Sequence, residues 1–405
     1  MMGMLARLSP DVRQYLVVTG NYWAFTLTDG ALRMLVVLHF YSLGYSPLQI
    51  ALLFLFYEIF GVITNLVGGY LGARIGLNRT MNIGLALQVM ALLMLTVPAE
   101  WLTVVWVMAA QAMSGVAKDL NKMSAKSSIK LLVPDAQQGA LYRWVALLTG
   151  SKNALKGVGF FLGGGLLALF GFAGAVLVMA LVLAAVWIAS LFLLKKDLGK
   201  ATAKPKFREL LSKSRRINIL SGARMFLFGA RDVWFVIALP VYLSSVFGWD
   251  FWMVGGFMAC WIIGYGIVQS IAPTITGKGA GKVPGGTAAF GWAAALSLLP
   301  AAIALGLYSE LNPQWVLLGG LMLFGVLFAV NSSLHSYLIV SYAQTDGVSL
   351  DVGFYYMSNA LGRLIGTLLS GWVYQAYGLE ACLWVSSAFV ALAALISLGL
   401  PKAAR

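Results

Sequence analysis

Residues 173–194 read AGAVLVMALVLAAVWIASLFLL, a stretch of 22 residues without a charged side chain. An α-helix rises about 1.5 Å per residue, so a run of this length can cross the hydrocarbon layer of a membrane. The whole chain of 405 residues is 60% hydrophobic and 10% charged, with a mean hydropathy of +0.85. Because a soluble domain carries about 25% charged residues, this composition excludes a water-soluble fold.

Eleven other apolar runs accompany this one. The twelve predicted spans are 15–42, 47–72, 80–98, 101–123, 139–168, 173–194, 218–246, 252–276, 286–307, 314–340, 350–375 and 380–400. Ser46-Pro47 is predicted to begin the second span, and Asp250 is predicted to cap the eighth. The first run has no small-residue cleavage site, so we expect it to remain as a spanning helix rather than to act as a cleaved signal peptide.

The loops divide by charge. Those after the odd-numbered spans contain carboxylates but no Lys or Arg, whereas the opposite loops hold the basic residues. The positive-inside rule therefore predicts that both termini are cytoplasmic. Residues 195–216 contain nine basic and two acidic side chains and form the only long connection. This segment is predicted to be a basic cytoplasmic linker between two six-helix halves, 1–194 and 217–405.

The two predicted halves are related in sequence. Residues 151–156 (SKNALK) match residues 358–363 (SNALGR), and one inserted residue aligns Lys156 with Arg363. Two six-helix repeats in parallel orientation are the architecture of the major facilitator superfamily. The sequence therefore predicts an all-α membrane protein with twelve transmembrane helices in two pseudo-symmetric halves.

The loop after the second span resembles the superfamily's signature G-x-L-x-D-R-x-G-R-R. Residues 69–79 read GYLGARIGLNR, with Ala73 in place of the aspartate and Asn78 in place of one basic residue. The glycines are expected to let the second and eleventh spans approach closely, and the arginines to face lipid phosphates. The predicted gating loop comprises Gly69, Gly72, Arg74, Gly76 and Arg79.

Ionisable residues lie near the middle of five predicted spans. A charge at the centre of a helix in lipid costs about 2.5 to 3.5 kcal/mol, so these residues are expected to face a wet cavity. Five cations outnumber three carboxylates, which predicts a small anionic substrate, and guanidinium groups favour phosphate-like ones. The cations are Arg33, Lys152, Lys156, Arg231 and Arg363. The carboxylates, predicted to pair with cations or to couple transport to protons, are Asp29, Glu58 and Asp232.

Interhelical salt bridges are the alternative interpretation of these charges. Asp29 and Arg33 lie four residues apart and could neutralise each other, and Asp232 could pair with Arg224 or Arg231. Lys152 and Lys156 share one helix face and no acid lies in their span. Substrate contact is therefore the favoured interpretation for these two lysines and for Arg363.

Four lysines recur every four residues in and after the fourth span: Lys118, Lys122, Lys126 and Lys130. They form one stripe along a helix. The stripe could guide anions from the cytoplasm into the cavity, and Lys118 is predicted to contact substrate. For Lys126 and Lys130 the favoured interpretation is an anchor that reaches lipid phosphates.

Enzymatic, metal-binding and nucleic-acid-binding functions find little support in the sequence. His39 and His335 lie on different spans, are not spaced as metal ligands and are predicted to be packed polar residues. Cys260 and Cys382 lie in separate apolar runs, so no disulfide framework is expected. We predict no cofactor, no metal and no catalytic residues, since no nucleophile has an adjacent base.

Five runs resemble the ArsJ-type organoarsenical efflux permeases of bacterial arsenic-resistance operons. They are residues 20–25 (GNYWAF), 28–33 (TDGALR), 118–126 (KDLNKMSAK), 150–157 (GSKNALKG) and 228–235 (FGARDVWF). The resemblance implies export of 1-arseno-3-phosphoglycerate across the bacterial inner membrane by alternating access. It also implies a functional partner, the glyceraldehyde-3-phosphate dehydrogenase that makes this compound from arsenate.

The residues alone leave another function open. A transporter of ordinary organophosphate anions, such as glycerol phosphate or phosphoglycerate, would need the same buried cations. The expected partners in either case are a small anionic substrate and the lipid bilayer, with no nucleic acid, and the chain is expected to be a monomer.

Overall fold

The computed structural model describes residues 10–45, 53, 55–132, 138–194, 198–202, 214–276, 284–309 and 311–402, and these residues contain helices but no strand. The α-helices are α1 (Pro10–Ser42), α2 (Leu55–Ile75), α3 (Leu77–Met94), α4 (Val104–Leu132), α5 (Gln138–Leu193), α6 (Arg215–Phe235), α7 (Ala238–Ser245), α8 (Phe251–Thr276), α9 (Gly286–Leu307), α10 (Pro313–Tyr342) and α11 (Val348–Ser397).

Two of these helices are each long enough for two spans. α5 contains 56 residues and α11 contains 50, and they bend at Gly171 (φ +66°) and Gly378 (φ +83°), where only glycine is unstrained. α6 and α7 together form the predicted seventh span. Among the described residues, seven helical stretches have the length and composition to cross a membrane. With α5 and α11 each counted as two spans, the prediction of twelve helices is confirmed.

Local sequence explains several helix ends. The Asp250 carboxylate accepts a hydrogen bond from the Met253 backbone at 2.7 Å, which confirms the predicted cap of α8. The Ser214 hydroxyl caps α6 in the same way. α4 continues to Leu132, nine residues beyond the predicted end at 123, so the whole lysine stripe is helical. The predicted start at Ser46-Pro47 lies outside the described residues.

The chain forms two compact units. Unit 1 contains Met1–Gln137, Ser151–Ser212 and Ala343–Met357, and unit 2 contains Gln138–Gly150, Lys213–Tyr342 and Ser358–Arg405. The first residues of α5 therefore belong to unit 2, and the first residues of α11 belong to unit 1. The predicted halves 1–194 and 217–405, with the linker 195–216, place each of these helices wholly in one half, and that division remains a prediction.

An aromatic core holds three helices of unit 2 together. Trp234 of α6 packs edge-on against Phe324 of α10, with ring centroids 5.1 Å apart, and against Trp261 of α8, at 5.9 Å. The Trp261 indole also donates a hydrogen bond to the Leu321 carbonyl at 2.9 Å. Because Trp234 lies two residues after Asp232, this core fixes the part of α6 that carries the buried carboxylate.

Candidate functional site

A buried carboxylate lies at the centre of the charged residues of unit 1. Asp29 of α1 is 4% exposed, and its Oδ1 accepts a hydrogen bond from the Tyr57 hydroxyl at 2.7 Å. Its Oδ2 lies 3.7 Å from the Lys156 ammonium of α5. Lys156, which has no acid in its own span, therefore finds a carboxylate on another helix.

Arg33 contacts an acid on α2. Its Nη2 lies 3.6 Å from a Glu58 carboxylate oxygen, and its guanidinium lies 4.7 Å from the centre of the Tyr57 ring. The Lys118 ammonium approaches the same ring at 3.7 Å. Tyr57 therefore orients the Asp29 carboxylate through its hydroxyl and two cations through its ring.

A third acid lies on α4, directly after Lys118. Asp119 is 1% exposed and contacts Lys122 at 2.6 Å and Lys118 at 4.0 Å. Lys152, half-buried on α5, contacts the Asn153 side chain at 3.3 Å and lies within electrostatic range of Lys156. We define the unit 1 cluster as these five cations and three carboxylates: Arg33, Lys118, Lys122, Lys152, Lys156, Asp29, Glu58 and Asp119.

The last two lysines of the stripe, Lys126 and Lys130, are buried rather than at the lipid surface. Lys126 is 2% exposed and Lys130 is 7% exposed, so both are buried inside the protein. The expectation that they reach lipid phosphates is wrong. It failed because the four-residue spacing shows that the lysines share one helix face but not which neighbours that face meets.

Close packing of glycines sets the spacing of α1 and α5. A Cβ at Gly30 would lie 2.6 Å from the Lys156 carbonyl oxygen, and one at Gly159 would lie 2.8 Å from the Leu27 carbonyl oxygen. Both obstacles are backbone atoms, which cannot move aside as a side chain can. Only glycine at these positions lets the two backbones approach closely enough to place Asp29 beside Lys156.

Unit 2 holds a buried carboxylate between two arginines. Asp232 of α6 is fully buried, and its Oδ1 accepts a hydrogen bond from the neighbouring Arg231 Nε at 2.6 Å. Its Oδ2 accepts a hydrogen bond from Arg363 Nε of α11 at 3.1 Å. Of the two arginines that the sequence offered as partners for Asp232, Arg231 is the one whose contact with it the structure shows.

Arg224 belongs to this group although the sequence suggested only that it could pair with Asp232. It is 3% exposed, its Nε donates to the Asn359 side chain at 2.8 Å, and its Nη1 donates to the Ser332 carbonyl and hydroxyl at 3.2 Å. The Phe228 ring lies 3.8 Å from the Arg224 guanidinium and 5.0 Å from that of Arg231. We define the unit 2 cluster as Arg224, Arg231, Asp232 and Arg363.

The two clusters repeat one arrangement. In each, an acid on the first helix of a predicted half contacts a base on the fifth: Asp29 with Lys156, and Asp232 with Arg363. A glycine three residues after the base packs on the acid-bearing helix in both, Gly159 against α1 and Gly366 against α6. The sequence match of Lys156 with Arg363 therefore corresponds to a match in three dimensions.

The predicted gating loop joins α2 to the start of α11 within unit 1. A Cβ at Gly69 would lie 2.4 Å from the Ser349 carbonyl oxygen, and the Ser349 hydroxyl donates to the Gly69 carbonyl at 2.7 Å. The expected close approach of these helices is thus present. A Cβ at Gly72 would lie 3.1 Å from the Ser349 hydroxyl oxygen, and Gly76 has a φ of +99° at the start of α3. Both loop arginines, Arg74 and Arg79, are exposed.

The histidines do not join the clusters. His39 stacks on Phe172 with ring centroids 4.2 Å apart, and His335 is fully buried on α10. Within the part of the chain that the structure describes, no group of three or more His, Cys, Asp or Glu side chains is placed to hold a metal ion.

Twelve spans, several of which carry charged residues within the span region, are typical of a membrane transporter. The family model for the Major Facilitator Superfamily matches residues 16–304, and the chain belongs to this superfamily. A search of curated proteins gives no match.

Solved structures share the fold. A bacterial homologue of the iron transporter ferroportin in its outward-facing state is 16% identical, with a TM-score of 0.74, covering 96% of this chain and 99% of that one. The human organic anion transporter MFSD10 (TETRAN) is 17% identical, with a TM-score of 0.74, covering 96% and 100%. The transporter FucP in its outward conformation is 12% identical, with a TM-score of 0.72, covering 96% and 99%. At these identities the likeness concerns the fold alone.

Proposed function

We propose that this chain exports a small organic oxyanion from the cytoplasm, and that its substrate is 1-arseno-3-phosphoglycerate. Export of this compound would remove arsenate from the cell and so give arsenate resistance. The companion glyceraldehyde-3-phosphate dehydrogenase would supply the substrate, as the resemblance to organoarsenical permeases implies.

The observation that carries the proposal is the difference in burial between the two partners of the pair that both clusters repeat. In each pair the carboxylate is the more buried partner: Asp29 is 4% exposed and Asp232 is fully buried. Their cationic partners are more accessible, with side-chain exposures of 17% for Lys156 and 26% for Arg363. In each repeated pair the cation is therefore more accessible than the acid, which suits a negatively charged substrate.

The number and type of charged groups also suit this substrate. Arsenophosphoglycerate has an arsenate group and a phosphate group, and each cluster contains more cations than carboxylates. Arginine and lysine both bind such oxygen-rich anions. Neither cysteine is required, because the arsenic in the substrate is bonded to oxygen and not to sulfur.

The proposal is tested in everted membrane vesicles. Vesicles carrying this protein are given arsenate, glyceraldehyde 3-phosphate, the nicotinamide cofactor and the dehydrogenase, and arsenic inside the vesicles is measured. We expect accumulation only when both proteins are present. Uptake of 3-phosphoglycerate without arsenate, at a rate equal to that of the arsenical, would instead assign the chain to ordinary organophosphate transport.

We further propose that both termini lie in the cytoplasm and that the protein resides in the bacterial inner membrane. Reporter fusions after residues 98, 171, 248, 310 and 378 are expected to be external, and fusions near 78, 134, 205 and 280 to be cytoplasmic, because only the latter loops carry the basic residues. Alkaline phosphatase and fluorescent-protein activities measure the two locations. One cytoplasmic result in the first set would contradict this topology.

A further inference from the structure

The Asp232 carboxylate is held as an anionic ligand would be held. One oxygen faces the Arg231 guanidinium, which approaches through both Nε and Nη2, and the other oxygen accepts from Arg363 Nε. Two guanidinium groups on different helices therefore bind one small anion, which here belongs to the protein. A phosphate or arsenate group offers oxygens with the same spacing and carries more charge.

Aromatic rings and a hydrogen bond fix the positions of the arginines around Asp232 in the absence of a ligand. Arg231 lies against the rings of Phe228, at 5.0 Å, and Phe328, at 5.5 Å. Arg224 binds Asn359, which lies one helical turn before Arg363 on α11. This contact ties the turn that carries Arg363 to α6, so both guanidinium groups are pre-organised and little side-chain entropy is lost on binding.

We propose that the unit 2 cluster is a subsite for a tetrahedral oxyanion, a phosphate or arsenate group, and that Asp232 occupies the site in its absence. On binding, the ligand displaces the Asp232 carboxylate from Arg363 and takes over that guanidinium. The inference rests on the proposed function as an anion transporter, but not on the identity of the transported arsenical.

The buried acid of unit 1 is contacted by other chemical groups than the buried acid of unit 2. Its equivalent acid, Asp29, contacts the Lys156 ammonium at 3.7 Å and the Tyr57 hydroxyl at 2.7 Å, whereas Asp232 contacts guanidinium groups from two helices. An ammonium is a point charge without the fork that pairs with two oxygens at once. The subsite for the tetrahedral group is therefore assigned to unit 2.

The test measures binding of inorganic phosphate and of inorganic arsenate to the purified full-length protein by calorimetry, with acetate at equal ionic strength as the reference anion. We expect phosphate and arsenate to bind and acetate not to bind. Asp232→Asn, which keeps the shape but removes the competing charge, should bind phosphate about tenfold more tightly. Arg363→Lys should bind about tenfold more weakly, because it loses the fork. Asp250→Asn, the same substitution in an exposed helix cap, should leave the affinity unchanged.

Unchanged or weaker phosphate binding by folded Asp232→Asn protein would overturn the proposal and leave Asp232 as a member of a structural ion pair.

A second measurement needs no variant: phenylglyoxal labels accessible arginines, and mass spectrometry locates the label. Phosphate should protect Arg363 in the wild-type protein, and equal labelling with and without phosphate would also overturn the proposal. Phosphate binding without export of the arsenical would refute the proposed function alone.

Discussion

Arg363→Ala is expected to abolish export while leaving normal amounts of folded protein in the membrane. The variant loses the most accessible cation of the unit 2 cluster, which is 26% exposed. The buried Asp232 carboxylate nevertheless keeps its contact with Arg231, so no buried charge is left alone. Arsenic accumulation in everted vesicles, normalised to the protein level on an immunoblot, measures both effects.

Lys156→Ala should also abolish export, but for this variant the amount of protein should fall as well. Lys156 faces Asp29, which is 4% exposed, and removing one partner of a buried ion pair costs about 3 to 5 kcal/mol in soluble proteins. The double variant Lys156→Ala with Asp29→Ala removes both charges. It should recover the protein level without recovering export.

Arg363→Lys separates charge from geometry, and Lys152→Ala tests a cation outside the repeated pairs. Arg363→Lys keeps the charge but loses the fork, so export should be impaired, although the protein level stays normal. Lys152→Ala should lower export strongly without lowering the protein level, because Lys152 contacts Asn153 and is half-buried. Near-normal arsenic export by the alanine variants at all three positions, at matched protein levels, would remove these cations from the site.

Most of the fold could be predicted from local sequence. Hydropathy and length depend only on neighbouring residues, so most spans could be placed within a few residues, and Asp250 could be recognised as a cap. The exception is α4, which ends nine residues beyond its predicted end. The kinks at Gly171 and Gly378 were predicted as loops because glycine-containing interruptions resemble span ends. In the structure, the backbone leaves the helical conformation at each glycine, so two helices meet there directly, without a longer loop.

Ion-pair partners were much harder to predict. Asp29 and Lys156 are separated by 127 positions, and their contact depends on how closely α1 and α5 pack at Gly30 and Gly159. Arg224 was missed as a member of the site for the same reason: its contacts with Ser332 and Asn359 come from two distant helices. The internal repeat was the available signal, since the match of Lys156 with Arg363 already indicated equivalent environments.

The repeated pair suggests why acids accompany the cations at all. A helix with an unbalanced charge in its centre is costly in lipid, and an internal carboxylate lowers that cost while the transporter is empty. Asp29 and Asp232 are well placed for this role, since each contacts the base of its own cluster. Glu58 does the same for Arg33 at 3.6 Å.

The membrane potential is expected to drive export without proton exchange. The three carboxylates that could carry protons, Asp29, Glu58 and Asp232, are each in contact with a cation. Expelling an anion from a negatively charged cytoplasm is already favourable, by about 2.3 kcal/mol per charge for each 100 mV. For a substrate that carries two net charges this is roughly 4.6 kcal/mol, or on the order of a thousandfold in concentration ratio.

Everted vesicles separate the two driving forces, since their interior becomes positive and acidic during respiration. Valinomycin with potassium collapses the potential and should abolish arsenic accumulation, whereas nigericin with potassium collapses the pH gradient and should leave it nearly unchanged. Accumulation that survives valinomycin but stops with nigericin would establish proton antiport instead. Asp29→Asn, Glu58→Gln and Asp232→Asn would then be expected to lose transport driven by the pH gradient, because a neutral amide at the coupling position cannot exchange the proton.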